Sequence, residues 1–237
     1  MLKTEAIIAG YGFGPILREV SIEVAPGEVV ALLGRNGMGK TTVLRTIMGV
    51  LVPDAGNVYF QDRRISGLKP FQIARQGIAY VPEEKRIFGS LTVRENVQAA
   101  AYATGKALTA AETALATFPD LVERPDLKAA ELSGGQRQML AVARALATQP
   151  RLVLFDEPMQ GLAPVFVRLI AQTIRNMRDA GIGVLLVEQS VKLALELADR
   201  VYILNRGGVV FAGGSADLAG QPTVVEEHLS VGSLAEQ

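Results

Sequence analysis

With 237 residues, 49% of them hydrophobic and 20% charged, the chain is large enough for one α/β domain or a main domain with a small subdomain, and too apolar to be disordered. Lys+Arg and Asp+Glu both total 24, so no global positive field draws it to nucleic acid or anionic lipid. The absence of cysteine excludes disulfides and thiolate metal sites, and the single histidine, His228, cannot build a zinc site and is expected to be a solvated surface imidazole.

Met1–Glu5 show no apolar signal-peptide core, and no stretch reaches the ~18 apolar residues needed to span a bilayer. The chain is therefore expected to be soluble, with any membrane role exercised through a partner. From the N-terminus, Ala6–Val24 and Gly56–Phe60 read as antiparallel strands, with turns at Tyr11–Pro15 and Pro26–Gly27. The short apolar runs Val29–Leu33, Ile78–Val81, Leu152–Phe155, Gly183–Val187 and Val201–Leu204 read as buried strands of a largely parallel sheet. Helical stretches lie between them: Thr41–Gly49, an amphipathic Gly134–Ala147, and Val165–Ala180 closed by Gly181. Alternating strands and helices predict a doubly wound α/β architecture. From Val93 to about Glu131 the strand signal disappears, and a small helical insertion is expected there. Only a short tail is expected after Gly214.

Gly34-Arg35-Asn36-Gly37-Met38-Gly39-Lys40-Thr41, with Thr42 following, matches the phosphate-loop pattern G-x-x-x-x-G-K-[ST] in full, between a buried strand and a helix. The glycines let successive N–H groups turn toward phosphate oxygens, and the helix beginning near Lys40 adds its positive end. Lys40 is expected to reach the β- and γ-phosphates and the Thr41 hydroxyl to ligate Mg²⁺. A chance glycine-rich turn would not carry all eight positions in this setting. Downstream, Arg151–Glu157 is a buried strand ending in two carboxylates. Asp156, at the edge where open α/β sheets bind ligands, is expected to hold Mg²⁺ through water, and Glu157 to polarise the attacking water. Alone such a pair is a weak signal; with the phosphate loop it is a strong one.

Leu132-Ser133-Gly134-Gly135-Gln136 opens the helix before that strand. A serine and two glycines there read by themselves as a plain N-cap. In the order phosphate loop, LSGGQ and Asp-Glu strand, however, the chain resembles the nucleotide-binding subunits of ABC transporters over essentially its whole length. The resemblance implies a P-loop (RecA-like) α/β core, residues 1–92 and 133–237, with an N-terminal antiparallel β region and a helical subdomain at about 93–132. All of it belongs to one ATP-binding domain, 1–237. It implies ATP sandwiched between the phosphate loop of one subunit and Ser133, Gly134, Gly135 and Gln136 of another, so that binding closes a dimer and hydrolysis releases it. Tyr11 stands where an aromatic stacks on adenine, with Phe13 a weaker substitute and an ordinary turn tyrosine the plain reading. Tyr80–Val93 resembles the loop that meets the membrane partner. The implied partners are transmembrane permease subunits, a second ATPase and, indirectly, a solute-binding protein, with no nucleic acid. The implied location is peripheral, on the cytoplasmic face of the inner membrane.

Three departures refine this. Glu83 replaces the usual Gln five residues before an aromatic (Phe88); it can ligate Mg²⁺ or orient water but adds negative charge. Gln189 replaces the switch His, so it can donate to the γ-phosphate but cannot carry a proton. Ala163 replaces the usual seam Asp in Gly161-Leu162-Ala163-Pro164. With Val81-Pro82-Glu83 and Val187-Glu188-Gln189, these resemble the F-type ATPase of branched-chain amino acid importers, which pairs with a non-identical ATPase, although the loop and signature of this chain are complementary enough for a homodimer in isolation. Urea, amides or lipid-linked substrates are alternative cargoes. A nucleic-acid or ribosome-remodelling ATPase is disfavoured, because residues 42–132 lack sustained heptads and only one cassette is present.

Overall fold

A computed structural model describes residues 1–84 and 87–229. The expectations for Tyr80–Val93 and for the domain bound at 237 run over residues 85–86 and 230–237, which lie outside the described residues.

The chain opens with β1 (Leu2–Gly10), β2 (Pro15–Val20) and β3 (Glu23–Val24), followed by β4 (Val29–Leu33) and α1 (Lys40–Ile47). Next come β5 (Ala55–Phe60), β6 (Arg63–Arg64), α2 (Pro70–Arg75) and β7 (Ile78–Val81). A helical group follows, α3 (Val93–Ala103), α4 (Leu108–Ala116) and α5 (Pro119–Val122), before α6 (Gly134–Ala147), β8 (Leu152–Asp156), α7 (Pro164–Asp179) and β9 (Gly183–Glu188). The chain continues through α8 (Val191–Leu197), β10 (Arg200–Asn205), β11 (Gly208–Gly214), α9 (Ser215–Ala219) and α10 (Pro222–Leu229).

Two sheets form. The antiparallel one runs β2-β1-β5-β6, with β3 also paired to β1. The larger runs β11-β10-β4-β9-β8-β7 and is parallel except for β11 at its edge. Its central strands are apolar on both faces because both faces are covered. Val29, Ala31 and Leu33 of β4, Val184 and Leu186 of β9, and Val153 and Phe155 of β8 join one core with α3–α8. Val30, Leu32, Leu185, Val187, Leu152 and Leu154 join a second core with α1 and the antiparallel sheet. This period-2 alternation sets the direction of every side chain at the sheet's carboxyl edge.

Helix ends obey local chemistry. Thr92 caps α3, accepting from the Glu95 N–H at 3.1 Å while the Glu95 carboxylate accepts from the Thr92 N–H at 2.7 Å. Pro164 starts α7, and Gly181, at φ 81°, ends its extension.

Several features differ from expectation. β1 begins at Leu2, because Leu2 and Lys3 pair with both β3 and β5. The segment after Gly214 is not a bare tail: α9 buries Leu218, and Val224, Val225 and Leu229 of α10 pack on the first core. His228 is correspondingly no free surface imidazole. Its ring is largely covered, and Nδ1 lies 3.2 Å from Nδ2 of Asn205. The period of so short a helix carried no signal that one face would be used.

Candidate active site at the carboxyl edge of the parallel sheet

β4, β9 and β8 are adjacent, in register Leu33↔Glu188 and Val187↔Asp156, and their carboxyl ends carry the phosphate loop, Gln189 and the Asp156–Glu157 pair respectively. Sequence-distant segments are thereby stacked along one edge. Gly39 precedes α1 at φ 105°, and a Cβ there would lie 2.9 Å from Leu17 Cδ2, so the site requires glycine on both conformational and steric grounds. Among the described residues, the backbone N–H groups of Gly37, Gly39, Lys40 and Thr41 have no hydrogen-bond acceptor. That row of donors at a helix start is the chemistry a polyphosphate requires.

Lys40 is 5% exposed. Its Nζ donates to the carbonyls of Gly34 (2.7 Å) and Arg35 (3.2 Å) and lies 3.5 Å from Glu157 Oε1. Glu157 leaves the strand with φ 49°, its N–H donating to the Val187 carbonyl at 3.0 Å. The other oxygen, Oε2, accepts a short 2.5 Å hydrogen bond from Gln189 Nε2. Glu157 is thus held between a cation and an amide.

Asp156 continues the Leu152–Leu154 alternation toward α1. Its Oδ1 accepts from the Thr41 hydroxyl at 3.1 Å and its Oδ2 from the Tyr80 hydroxyl at 3.0 Å. Burial pushes its carboxyl above the usual range, against the lowering effect of those two donors. Glu83 is also raised, by desolvation first and then by Glu157, Asp156 and Glu84, with Lys40 opposing. It lines the same pocket as Asn36, Gly37, Gly39, Lys40, Thr41, Thr42, Glu157 and Gln189.

These residues fit Mg²⁺. A hard dication would find the Thr41 hydroxyl and the Asp156 carboxylate side by side and relieve the crowding of three acids. Among the described residues no three Asp, Glu or His side chains form an all-protein metal cage.

Arg35 and Asn36 are exposed on the loop, and Met38 is half-buried, its sulfur accepting from the Arg206 N–H at 3.2 Å. Tyr11 is 46% exposed in the β1–β2 turn, its hydroxyl accepting from Arg45 at 3.1 Å, while Phe13 is fully exposed. The structure does not bring Ser133, Gly134, Gly135 or Gln136 into this pocket. Ser133 caps α6 and shares a reciprocal capping box with Gln136. At Gly135 a Cβ would lie 2.3 Å from the Phe166 ring, so this glycine serves packing against α7, whereas at Gly134 a Cβ would meet nothing within 4 Å.

Sequence reasoning missed two residues of this edge. Tyr80 is the penultimate residue of β7 and Glu188 the last of β9, and only knowledge of strand order and facing shows that Tyr80 meets Asp156 and that Glu188 feels the charge of Glu157.

The family described as "ABC transporter" matches residues 17–160. The chain is 40% identical over 231 residues to the high-affinity branched-chain amino acid transport ATP-binding protein BraG of Pseudomonas aeruginosa, covering 97% of this chain and 99% of BraG. It is 38% identical to the probable branched-chain amino acid transport ATP-binding protein LivF of Archaeoglobus fulgidus (92% and 94% covered). It is 36% identical to the lipopolysaccharide export system ATP-binding protein LptB of Acidithiobacillus ferridurans (97% and 96%). Among solved structures, the ADP conformation of an ATP-binding cassette of an ABC transporter superposes with TM-score 0.84 at 29% identity, covering 95% and 97% of the two chains.

Proposed function

Because this chain belongs to the ABC transporter family and is an ATPase of it, we propose that it is the ATP-hydrolysing subunit of an importer for branched-chain amino acids or related amino acids and amides. The single observation that supports the chemistry best is the meeting of Lys40, Thr41, Asp156, Glu157 and Gln189 at the carboxyl ends of three adjacent strands. The cargo assignment rests on Val81–Glu83, Gly161–Pro164 and Val187–Gln189, together with the likeness to BraG and LivF.

On this reading the phosphate-loop N–H groups and Lys40 bind the β- and γ-phosphates, and Tyr11 packs against the base. Thr41 and Asp156, with Glu83 nearby, hold Mg²⁺, which when bound would offset phosphate charge. Glu157 accepts the proton of the attacking water, and Gln189 orients Glu157 and donates toward the γ-phosphate. Ser133, Gly134, Gly135 and Gln136 lie outside the pocket and serve the nucleotide of a second cassette. This reading requires a dimer, with a non-identical ATPase as the cellular partner. The dimer sits on permease subunits at the cytoplasmic side of the membrane, fed indirectly by a solute-binding protein.

The likeness to LptB makes lipid-linked cargo the second reading. Gln189 in place of the switch histidine speaks against it. Purification from detergent extract with the co-purifying permeases, followed by reconstitution in vesicles, separates the two. ATP-dependent uptake of labelled leucine or a short amide is expected, whereas permeases that stimulate ATPase only with lipopolysaccharide would overturn the importer reading. Stimulation by DNA or RNA would instead point to a non-transport ATPase.

A further inference from the structure

Glu188 ends β9 on the face shared with Val184 and Leu186, directed into the first core on the same side as the buried Met159. It is 4% exposed, in a setting where an apolar residue would be the ordinary choice. Its Oε2 accepts from the Gln189 N–H at 3.3 Å, and the N–H groups of Met159 and Ser190 also favour its ionised form. Its Oε1 is buried with no hydrogen-bond partner among the described residues. A half-satisfied buried carboxylate costs stability, so its presence calls for a reason outside stability. The loop after Glu157 and the turn after β9 both close on it. Those segments carry the two halves of the Glu157–Gln189 hydrogen bond, which spans 32 residues of sequence.

We propose that Glu188 is a positioning residue for ATP hydrolysis: its buried carboxylate braces the turn bearing Gln189 against the loop that follows Glu157, and so sets the angle at which Gln189 holds Glu157. The inference rests on the ATPase reading above. It concerns the chemical step, because neither Glu188 nor its neighbours Met159 and Ser190 line the pocket that takes the phosphates. Glu188 therefore reaches the nucleotide only through Gln189, and its removal is expected to affect the chemical step more than binding. An error of ~1 Å in a catalytic base costs about 10²-fold in rate. Glu188→Leu also takes the acceptor from the Gln189, Met159 and Ser190 N–H groups, so it is expected to be destabilising whichever role Glu188 has. A purely structural role predicts a lowered Tm with unchanged turnover per folded chain, whereas a positioning role lowers that turnover as well.

The test compares Glu188→Leu, Glu188→Gln and the double variant with Gln189→Ala in the full-length chain, measuring Tm, equilibrium ATP binding and kcat. Glu188→Leu is expected to lower Tm modestly and keep ATP affinity within about threefold while kcat per folded chain falls roughly tenfold to hundredfold. Glu188→Gln, whose amide oxygen accepts from the same Gln189 N–H, is expected to retain most of kcat. In the Gln189→Ala background Glu188→Leu is expected to add no further loss, since both act through one contact. Wild-type kcat in Glu188→Leu overturns the proposal, and so does a loss undiminished in the Gln189→Ala background. Should the Leu variant fail to fold, Glu188→Asp takes its place: reduced kcat with affinity and Tm retained supports the bracing role, and wild-type turnover in Glu188→Asp removes it. A wild-type chain that turns over no ATP sinks the ATPase reading beneath both. Wild-type turnover with an indifferent Leu variant sinks this inference alone.

Discussion

At the residue scale, the Gln189 amide donates to Glu157. In the proposed mechanism it does so without competing for the proton that Glu157 would accept. Gln189→His is expected to leave hydrolysis intact or raise it in a steady-state phosphate-release assay. A collapse would show that the amide is tuned to its glutamate and is no degenerate switch. Protonation adds a second expectation. Burial first, and the Glu157 charge after it, push the Glu188 carboxyl up to about 7 from 4.5. Between those values the folded chain keeps a proton that the unfolded chain has released, so this group's contribution to stability falls as pH rises through the window. Asp156 and Glu83, also raised, act with the same sign. The difference between variants therefore isolates Glu188: in denaturant titrations between about pH 5 and 8, Glu188→Gln should flatten the decline.

At the scale of elements, α6 serves two masters. Its N-terminal turn presents Ser133 and Gly134 away from the pocket of this chain, while Gly135 lets the Phe166 ring of α7 close on the helix. A side chain at Gly135 must displace that ring. Gly135→Leu is expected to cost about 1–3 kcal/mol by overpacking, visible as a lowered denaturation midpoint, whereas Gly134→Ala should leave stability within about 1 kcal/mol. A midpoint unchanged in Gly135→Leu would mean that α7 yields freely. The LSGGQ string gives no hint that its two glycines differ in this way, because Phe166 lies 31 residues further along the chain and only helix packing brings it near.

For the whole molecule, the phosphate loop and the capped signature helix do not meet within one chain, and the proposed function has them meet across two. Glu157→Gln should retain ATP binding yet lower turnover at this site by about 10²–10⁴-fold. Mixed with ATP and a second cassette, or alone at high concentration, it should migrate as a dimer by light scattering and revert to monomer with ADP. A variant that binds ATP but stays monomeric under both conditions would remove the shared-nucleotide arrangement. Unaltered hydrolysis would remove Glu157 from its proposed role.

The strands read at 29–33, 78–81, 152–155 and 183–187, the last two one residue short of their observed ends, and the phosphate loop were legible because short apolar runs and a G-x-x-x-x-G-K-T string are local properties of the chain. The pairing of Asp156 with Thr41 and Tyr80, the clamp of Glu157 between Lys40 and Gln189, and the buried Glu188 were not. Each depends on the strand order β4-β9-β8-β7 and on which face a residue occupies, and a sequence records alternation but not who sits next door. The same holds for α10 and His228, whose weakly patterned helix acquires a buried side only because the first core offers one. Sequence alone thus determined which groups could do the chemistry. Tertiary structure decided which of them touch, since contact across a parallel sheet is set by register and packing between segments 32, 76 and 115 residues apart in the cases of Glu157–Gln189, Asp156–Tyr80 and Asp156–Thr41.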